Sequence, residues 1–378
     1  MRIGIVCYPT YGGSGVVATE LGKELAKKGH DVHMITYDVP VRFDHLNPNL
    51  HYHEVVLSKY PLFDYQPYEL QLSSKIVDVA IHENLDLLHV HYAIPHASAA
   101  FMAREILKTK GRNVPFITTL HGTDITLVGS DSSFEPVITF AINQSDAVTA
   151  VSDSLKQDTC RMFDVGCNID VIPNFIDLER YENNQNEELK RAYAPNGEAV
   201  LMHISNFRPV KRVEDVVKVF AKVREDRPTK LLLVGDGPER YKMEDMCRQL
   251  GACDDIHFLG KMKNTEEAHG LADVFILPSE TESFGLAALE AMSSSVPVIS
   301  SNGGGLPEVN EHGYSGFMND VGDTDGMAVN AIKLLDDLPT YRKQALEQAK
   351  KFRKSAIIPL YEDLYDKVVA QSFAEHSS

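Results

Sequence analysis

Short runs of aliphatic and β-branched residues recur along the chain, each followed by a Gly, Pro and polar loop and then by apolar positions at helical spacing. In the first half the runs are Ile3–Cys7, Val32–Thr36, Leu87–His91, Pro115–Thr119 and Ala147–Val151. In the second half they are Val200–Ile204, Leu231–Val234, Val274–Leu277 and Val296–Ser300. Strands that are apolar throughout, and not only at alternate positions, are covered on both faces, the condition of parallel strands joined by helices. The pattern predicts an α/β protein with two doubly wound, Rossmann-like domains in tandem. A boundary is expected near Val171–Asp177, because a charged stretch from Leu178 to Ala194 follows before the next strand opens at Val200. We read residues 1–173 as the first domain and 174–354 as the second, with a helix over about 355–378 packing back on the first.

Composition narrows the function classes. A chain of 378 residues, 43% hydrophobic, has room for two cores. Its 37 Lys+Arg against 54 Asp+Glu give a charge of −17, which disfavours nucleic acid and anionic lipid as partners but leaves a local basic cleft open. Cys7, Cys160, Cys167, Cys247 and Cys253 are odd in number and form no CxxC pair, so reduced thiols and a cytoplasmic location are expected. The apolar run at the N-terminus is too short for a signal peptide, and no stretch approaches the ~18 apolar residues of a membrane span. Small molecules are the expected partners, and a homo-oligomer is left open.

Candidate chemistry gathers in the loops that follow strands. After the first strand, Tyr8-Pro-Thr-Tyr-Gly12-Gly13-Ser14-Gly15 leads into a helical pattern from Val16. Gly13-x-Gly15-x-x-Ala18, with Asp38 after the second strand, fits the dinucleotide fingerprint, so an NAD-dependent oxidoreductase competes at this point. The loop before Gly12 is longer than that fingerprint's tight turn. Either reading sets backbone N–H groups and a helix N-terminus against an anion. His51-x-His53 and His89-x-His91 each lie on one face of a strand, a spacing that can bind metal. No third ligand follows either pair at a suitable spacing, so packed, hydrogen-bonded histidines are expected and no metal. His121-Gly-Thr-Asp124 sits at the carboxyl end of a strand, where open α/β sheets bind ligands.

In the second half Ser205-Asn206-Phe207-Arg208-Pro-Val-Lys211 separates a strand from a helix. Two cations so placed in an acidic protein suggest an anion site. The segment Pro278-Ser-Glu280-Thr-Glu282-Ser283-Phe284-Gly285-Leu286, with Glu290 beyond it, carries two carboxylates eight residues apart. With Ser283 as N-cap of a helix from Phe284, they would stand ~12 Å apart at ~1.5 Å per residue. That is wide for hydrolytic acid–base work, and a carboxylate receiving a vicinal diol suits them better.

Together these segments resemble the glycosyltransferases of family 4, which have the GT-B fold and an E-x7-E motif, here Glu282 and Glu290; Gly303-Gly-Gly-Leu-Pro-Glu308 extends the likeness. The resemblance covers nearly the whole chain, with Met292-Ser-Ser-Ser-Val-Pro297 as a departure at a helix end. It implies two domains facing a deep cleft and a metal-independent, retaining hexosyltransferase that needs no cofactor. Arg208 and Lys211 would bind the donor diphosphate, with the N–H of Gly13, Asn206 and the helix start at Phe284, Gly285 and Leu286. Glu290 would hold the ribose, Glu282 the donor sugar, and the backbone at Lys261 and Met262 the uracil. His121 would lie beside sugar and acceptor, so His121, Arg208, Lys211 and Glu282 form the catalytic set. Cys7-Tyr-Pro, Asn174-Phe-Ile-Asp and Ser205-Asn-Phe-Arg bring the chain nearest to the branch that joins N-acetylglucosamine, from UDP-N-acetylglucosamine, to L-malate in bacillithiol synthesis. Gly12, Ser14, Tyr92, Thr119 and His121 would then receive the acceptor. The competing readings are a family 4 transferase with another small acceptor, such as inositol phosphate or a sugar, a non-catalytic nucleotide-sugar sensor, and the oxidoreductase.

Overall fold

In the computed structural model every one of the continuous apolar runs becomes an inner strand of a parallel sheet. The structure describes residues 1–10, 12–57, 66–127, 129, 131–166, 168–182 and 184–376; Tyr11 of the glycine loop and Cys167 lie outside them. The chain divides into two compact units, Met1–Asn174 joined by the chain from Lys354 onward, and Phe175–Arg353.

The first unit is built on β1 (Arg2–Val6), β2 (Asp31–Thr36), β3 (Leu50–Glu54), β4 (Leu87–His91), β5 (Phe116–Leu120), β6 (Ala147–Ala150) and β7 (Ile169–Val171), in the order β3-β2-β1-β4-β5-β6-β7. On one face of this sheet Leu72, Ile76 and Ala80 of the helix Tyr68–His82 pack with Ala99, Ala103 and Leu107 of the helix Ser98–Lys108, all buried. The helix Lys354–His376 supplies Tyr361 and Tyr365, both fully buried, whose rings lie 5.5 and 5.6 Å from that of His89.

The second unit is built on β8 (Ala199–Asn206), β9 (Thr229–Asp236), β10 (Ile256–Gly260), β11 (Val274–Leu277), β12 (Val298–Ser301) and β13 (Gly316–Asn319), in the order β10-β9-β8-β11-β12-β13. The helix Val213–Asp226 shows why its sequence folds as it does. Val213, Val216, Val217, Phe220 and Val223 recur at helical spacing and are buried against this sheet, each worth about 1.5–3 kcal/mol, while Glu214 and Lys218 stay outside.

Two helix starts differ from the sequence reading. The first helix begins at Gly13, not Val16, so Gly13, Ser14 and Gly15 form its first turn and Gly12 is the N-cap. A Cβ on Gly15 would stand 2.5 Å from the Tyr8 carbonyl oxygen, so the turn needs glycine there for packing. The helix after β11 spans Leu286–Ser293 with Gly285 as N-cap at φ 98°, and Ser283 does not cap it. Glu282 therefore lies in an extended loop, bridged to Gly304, and the spacing of the two glutamates is not that of a continuous helix. Cys7, Cys160, Cys247 and Cys253 are free thiols. Among the described residues no helix is long and apolar enough to cross a membrane.

Candidate functional site

In each sheet the strand order reverses once, between β1 and β4 in the first and between β8 and β11 in the second. Loops leaving the carboxyl ends of such a strand pair diverge to opposite faces and leave a crevice for a ligand. The sequence-predicted residues fall largely at these two points.

In the second unit glycines set the loops. Gly235 has φ 121°, and a Cβ there would stand 1.8 Å from the Ser205 carbonyl oxygen. A Cβ on Gly237 would meet Phe207 backbone at 2.5 Å, and Phe207 N–H donates to Asp236 O at 3.1 Å. The loop after β9 thus lies flat on Ser205–Phe207 and presents Arg208, which is exposed and has no side-chain partner among the described residues. The loop after β12 does the same for β11. A Cβ on Gly303 would stand 2.2 Å from Glu280 O, and Gly305 N–H donates to Glu282 O at 2.7 Å. Glu280 N–H donates to Val210 O at 2.8 Å, tying the two crest loops together.

Side chains complete this crest. Lys211 Nζ lies 2.6 Å from Glu282 Oε1, and Ser279 Oγ donates to the same oxygen at 2.7 Å. One ammonium proton faces Glu282, leaving two donors on Lys211, and Glu282 Oε2 keeps its lone pairs. Beneath them His203 Nδ1–H donates to Ile276 O and Nε2 accepts from Ser205 Oγ, and burial pushes the ring down to about 4, so it is neutral beside Lys211. Glu290 lies on the helix after β11, its carboxylate half-buried; His269 Nε2 stands 3.8 Å from Oε2, too far for a hydrogen bond. His269 is fully buried, and among the described residues neither ring nitrogen has a hydrogen-bond partner. Asn206 ends β8 and is exposed; Phe284 packs its ring on Phe352, so only its backbone is on offer. Lys261 and Met262 are exposed after β10, at the outer edge two strands from β8.

In the first unit Ser14 Oγ and Tyr92 OH are 2.5 Å apart, linking the first turn after β1 to the residue after β4. Tyr92 holds φ 85°, and its ring lies 5.5 Å from Tyr8 and 5.3 Å from His121. His121 follows β5; its Nε2 pairs with His91 Nδ1 at 2.7 Å, and burial holds it down at about 3, so the ring is neutral. Asp124 accepts from Ala93 N–H at 2.8 Å and Gly122 N–H at 3.1 Å; burial raises it to about 6 against the pull of those amides. It clamps the loops after β4 and β5. No Lys or Arg occurs in Cys7–Gly12, Tyr92–Ala97 or His121–Thr126, so this crest offers hydroxyls, imidazole and helix N–H groups. Thr119 does not join it. Its side chain is fully buried in β5, bonded to His89 Nε2 and Thr149 Oγ1 at 2.7 Å each, because strand alternation turns it into the sheet's packed face.

Ser279, His203 and His269 were not singled out from sequence, Asp124 was quoted only as the end of a motif, and His91 was read only as half of a His-x-His pair. Ser279 and Asp124 stand inside quoted motifs, but which oxygen they serve depends on loop geometry. His269 and the His91–His121 pairing join separate elements, and spacing carries no trace of that.

Comparison with known proteins gives two family matches: residues 11–180 with "Glycosyltransferase Family 4" and residues 184–352 with "Glycosyl transferases group 1". The N-acetyl-alpha-D-glucosaminyl L-malate synthase of Bacillus anthracis is 47% identical over 98% of this chain and 97% of its own. An uncharacterized glycosyltransferase of Methanocaldococcus jannaschii is 27% identical over 93% of each chain. Among solved structures, a sucrose-phosphate synthase from Thermosynechococcus elongatus superposes with TM-score 0.78 at 22% identity, covering 98% of this chain and all of that one. Anabaena HepE in complex with UDP and glucose does so with TM-score 0.76 at 19% identity, covering 100% of both chains.

Proposed function

The chain belongs to glycosyltransferase family 4 and is a hexosyltransferase of GT-B fold, and we propose that it moves N-acetylglucosamine from UDP-N-acetylglucosamine to the hydroxyl of L-malate. The observation that carries this acceptor is the end-to-end identity with the Bacillus anthracis enzyme named for that product. The reaction is the opening step of bacillithiol synthesis, in the cytoplasm.

The second unit holds the donor. Arg208 and the two spare protons of Lys211 bind the diphosphate, with the free N–H groups at Leu286. Glu290 accepts the ribose diol, and Glu282 Oε2 accepts a sugar hydroxyl. The backbone at Lys261 and Met262 is assigned to the uracil. The first unit holds the acceptor: Gly12 and Ser14 offer N–H groups and a hydroxyl at a helix N-terminus, Tyr92 a second hydroxyl, and His121 a neutral imidazole. Malate is a dianion with one free hydroxyl, and helix N–H groups suit a carboxylate by ~0.3–2 kcal/mol.

As the anomeric C1–O bond breaks, the electron pair goes to the β-phosphate oxygen, where the preplaced cations stabilise it. The malate hydroxyl oxygen bonds to C1 from the same face, and its proton passes to that phosphate oxygen, so configuration is retained. The test is incubation of UDP-N-acetylglucosamine with L-malate, D-malate, succinate and inositol 1-phosphate, read by mass spectrometry and proton NMR. An α-linked product with L-malate, little with D-malate and none with succinate is expected. Efficient transfer to inositol phosphate with none to L-malate would overturn the acceptor and leave the family standing.

A further inference from the structure

On one face of the β2–β3 pair, at the edge of the first sheet, four side chains gather. β3 runs parallel to β2 in a register that sets His51 beside His33 and His53 beside Ile35, so Asp31, His33, His51 and His53 point the same way. Sequence spacing showed no third ligand for His51-x-His53; the sheet register brings it from the neighbouring strand. His51 Nε2 lies 2.6 Å from Asp31 Oδ1, and His33 Nδ1 lies 2.9 Å from His53 Nε2.

His33 carries the argument. Its side chain is 2% exposed, and among the described residues its Nε2 has no hydrogen-bond partner. That nitrogen faces Asp31 Oδ2 at 3.6 Å, beyond hydrogen-bond reach. When Nδ1–H donates to His53, Nε2 directs a buried lone pair at a carboxylate. In the other tautomer the buried N–H faces that carboxylate at 3.6 Å, an ion-pair separation longer than a hydrogen bond. A cation bound between the two groups satisfies both.

We propose that Asp31, His33 Nε2 and His51 Nε2 form a divalent transition-metal site, of the kind that takes Zn²⁺, at the β2–β3 edge. The three ligand atoms lie within 4.8 Å of one another. Ligand atoms of a tetrahedral zinc stand about 3.3 Å apart, close to the 3.6 Å already present. Two imidazoles and a carboxylate form a borderline-soft set that zinc accepts, with water in the open position. His53 receives the Nδ1 proton of His33 and so fixes its ring and tautomer, the second partner that metal-bound histidines generally have. Asp31 and His51 are 43% and 41% exposed, so the site opens to solvent. On binding, His51 carries its proton on Nδ1. The ion takes no part in sugar transfer and clamps the edge strand to its neighbour.

Tag-free protein stripped with EDTA is titrated with ZnCl₂ by calorimetry, beside His51→Gln and Asp31→Asn; both positions are exposed enough for the variants to fold. One equivalent should bind the wild type and raise its melting temperature, and each variant should bind at least about 10-fold more weakly. Co²⁺ should give visible absorption of a nitrogen–oxygen site in the wild type only, while all three proteins bind UDP alike. A wild type that takes up no Zn²⁺, or variants that bind it as tightly, would overturn the proposal.

Discussion

Lys211 Nζ lies 2.6 Å from Glu282 Oε1, and this side-chain contact helps join the loop after β8 to the loop after β11 where the strand order of the second sheet reverses. Both side chains are mostly withdrawn from solvent, at 21% and 15% exposure, so removing one leaves the other's charge partly buried without its partner.

Arg208→Ala and Lys211→Ala should each lower turnover by about 10²–10³-fold, the usual cost of losing one charge-stabilising donor. Lys211→Ala should be the worse, because it also strands Glu282. Circular dichroism should show both folded, and steady-state kinetics with near-normal rates in both would remove them from the site.

The two glutamates should separate by readout. Glu290→Gln should weaken UDP binding in calorimetry, because its proposed ligand, the ribose, is remote from the bond that breaks. Glu282→Gln should lower turnover more than UDP affinity. The opposite pattern would exchange their roles.

Tyr92→Phe and Ser14→Ala each delete one half of a 2.5 Å hydrogen bond, worth about 0.5–1.5 kcal/mol of stability. Both should raise KM for L-malate several-fold and leave UDP affinity alone. An unchanged malate KM in both would take this pair out of the acceptor site.

Acid should destabilise the fold early. His89 and His121 are held at about 3, and His96 and His203 at about 4, by burial, against 6.5 in the unfolded chain. The unfolded state takes up these protons first, so stability present above pH 6.5 falls progressively down to about 3–4. Asp124, raised to about 6 from 3.8, works the other way, its contribution full below 3.8 and lost above 6, but it is one group against four. Scanning calorimetry should show the melting temperature dropping between pH 6.5 and 4, and a flat profile would contradict the buried, neutral imidazoles.

Gly235→Ala should damage the donor crest from outside it. At φ 121° the backbone alone costs about 1–3 kcal/mol, and the new Cβ would collide with Ser205 O at 1.8 Å. Urea unfolding should show the loss, and UDP binding should weaken because the loop bearing Arg208 moves. Wild-type values in both would mean that the loops are not coupled.

The inner strands were legible because burial on both faces makes them apolar throughout. The edges were not. β7, β10 and β13 leave no apolar run, and β3 shows only as His51-x-His53. These four strands close the two sheets, where one side faces no neighbour and polar residues are tolerated. Near the proposed donor site, what was legible is position: Arg208, Lys211, Glu282 and Glu290 each stand, as expected, in a strand-end loop or on the helix after it. Thr119 was misread for want of its direction. The start at Gly13 was missed because glycine signals a loop by propensity, whereas here its missing Cβ lets the helix close against Tyr8.

The helix Lys354–His376 completes a unit whose other strands and helices all lie before Asn174. Tyr365 OH bonds His89 Nδ1 at 2.7 Å, and Tyr361 is buried beside it. During synthesis the ribosome delivers those tyrosines only after the whole of Phe175–Arg353 has followed the sheet they cover. The stretch Phe175–Arg353 is continuous and can close as it emerges. The half of the protein translated first is therefore the half that waits, its central histidine uncovered, and a ribosome that stalls before residue 354 releases a chain with one finished unit and one open one.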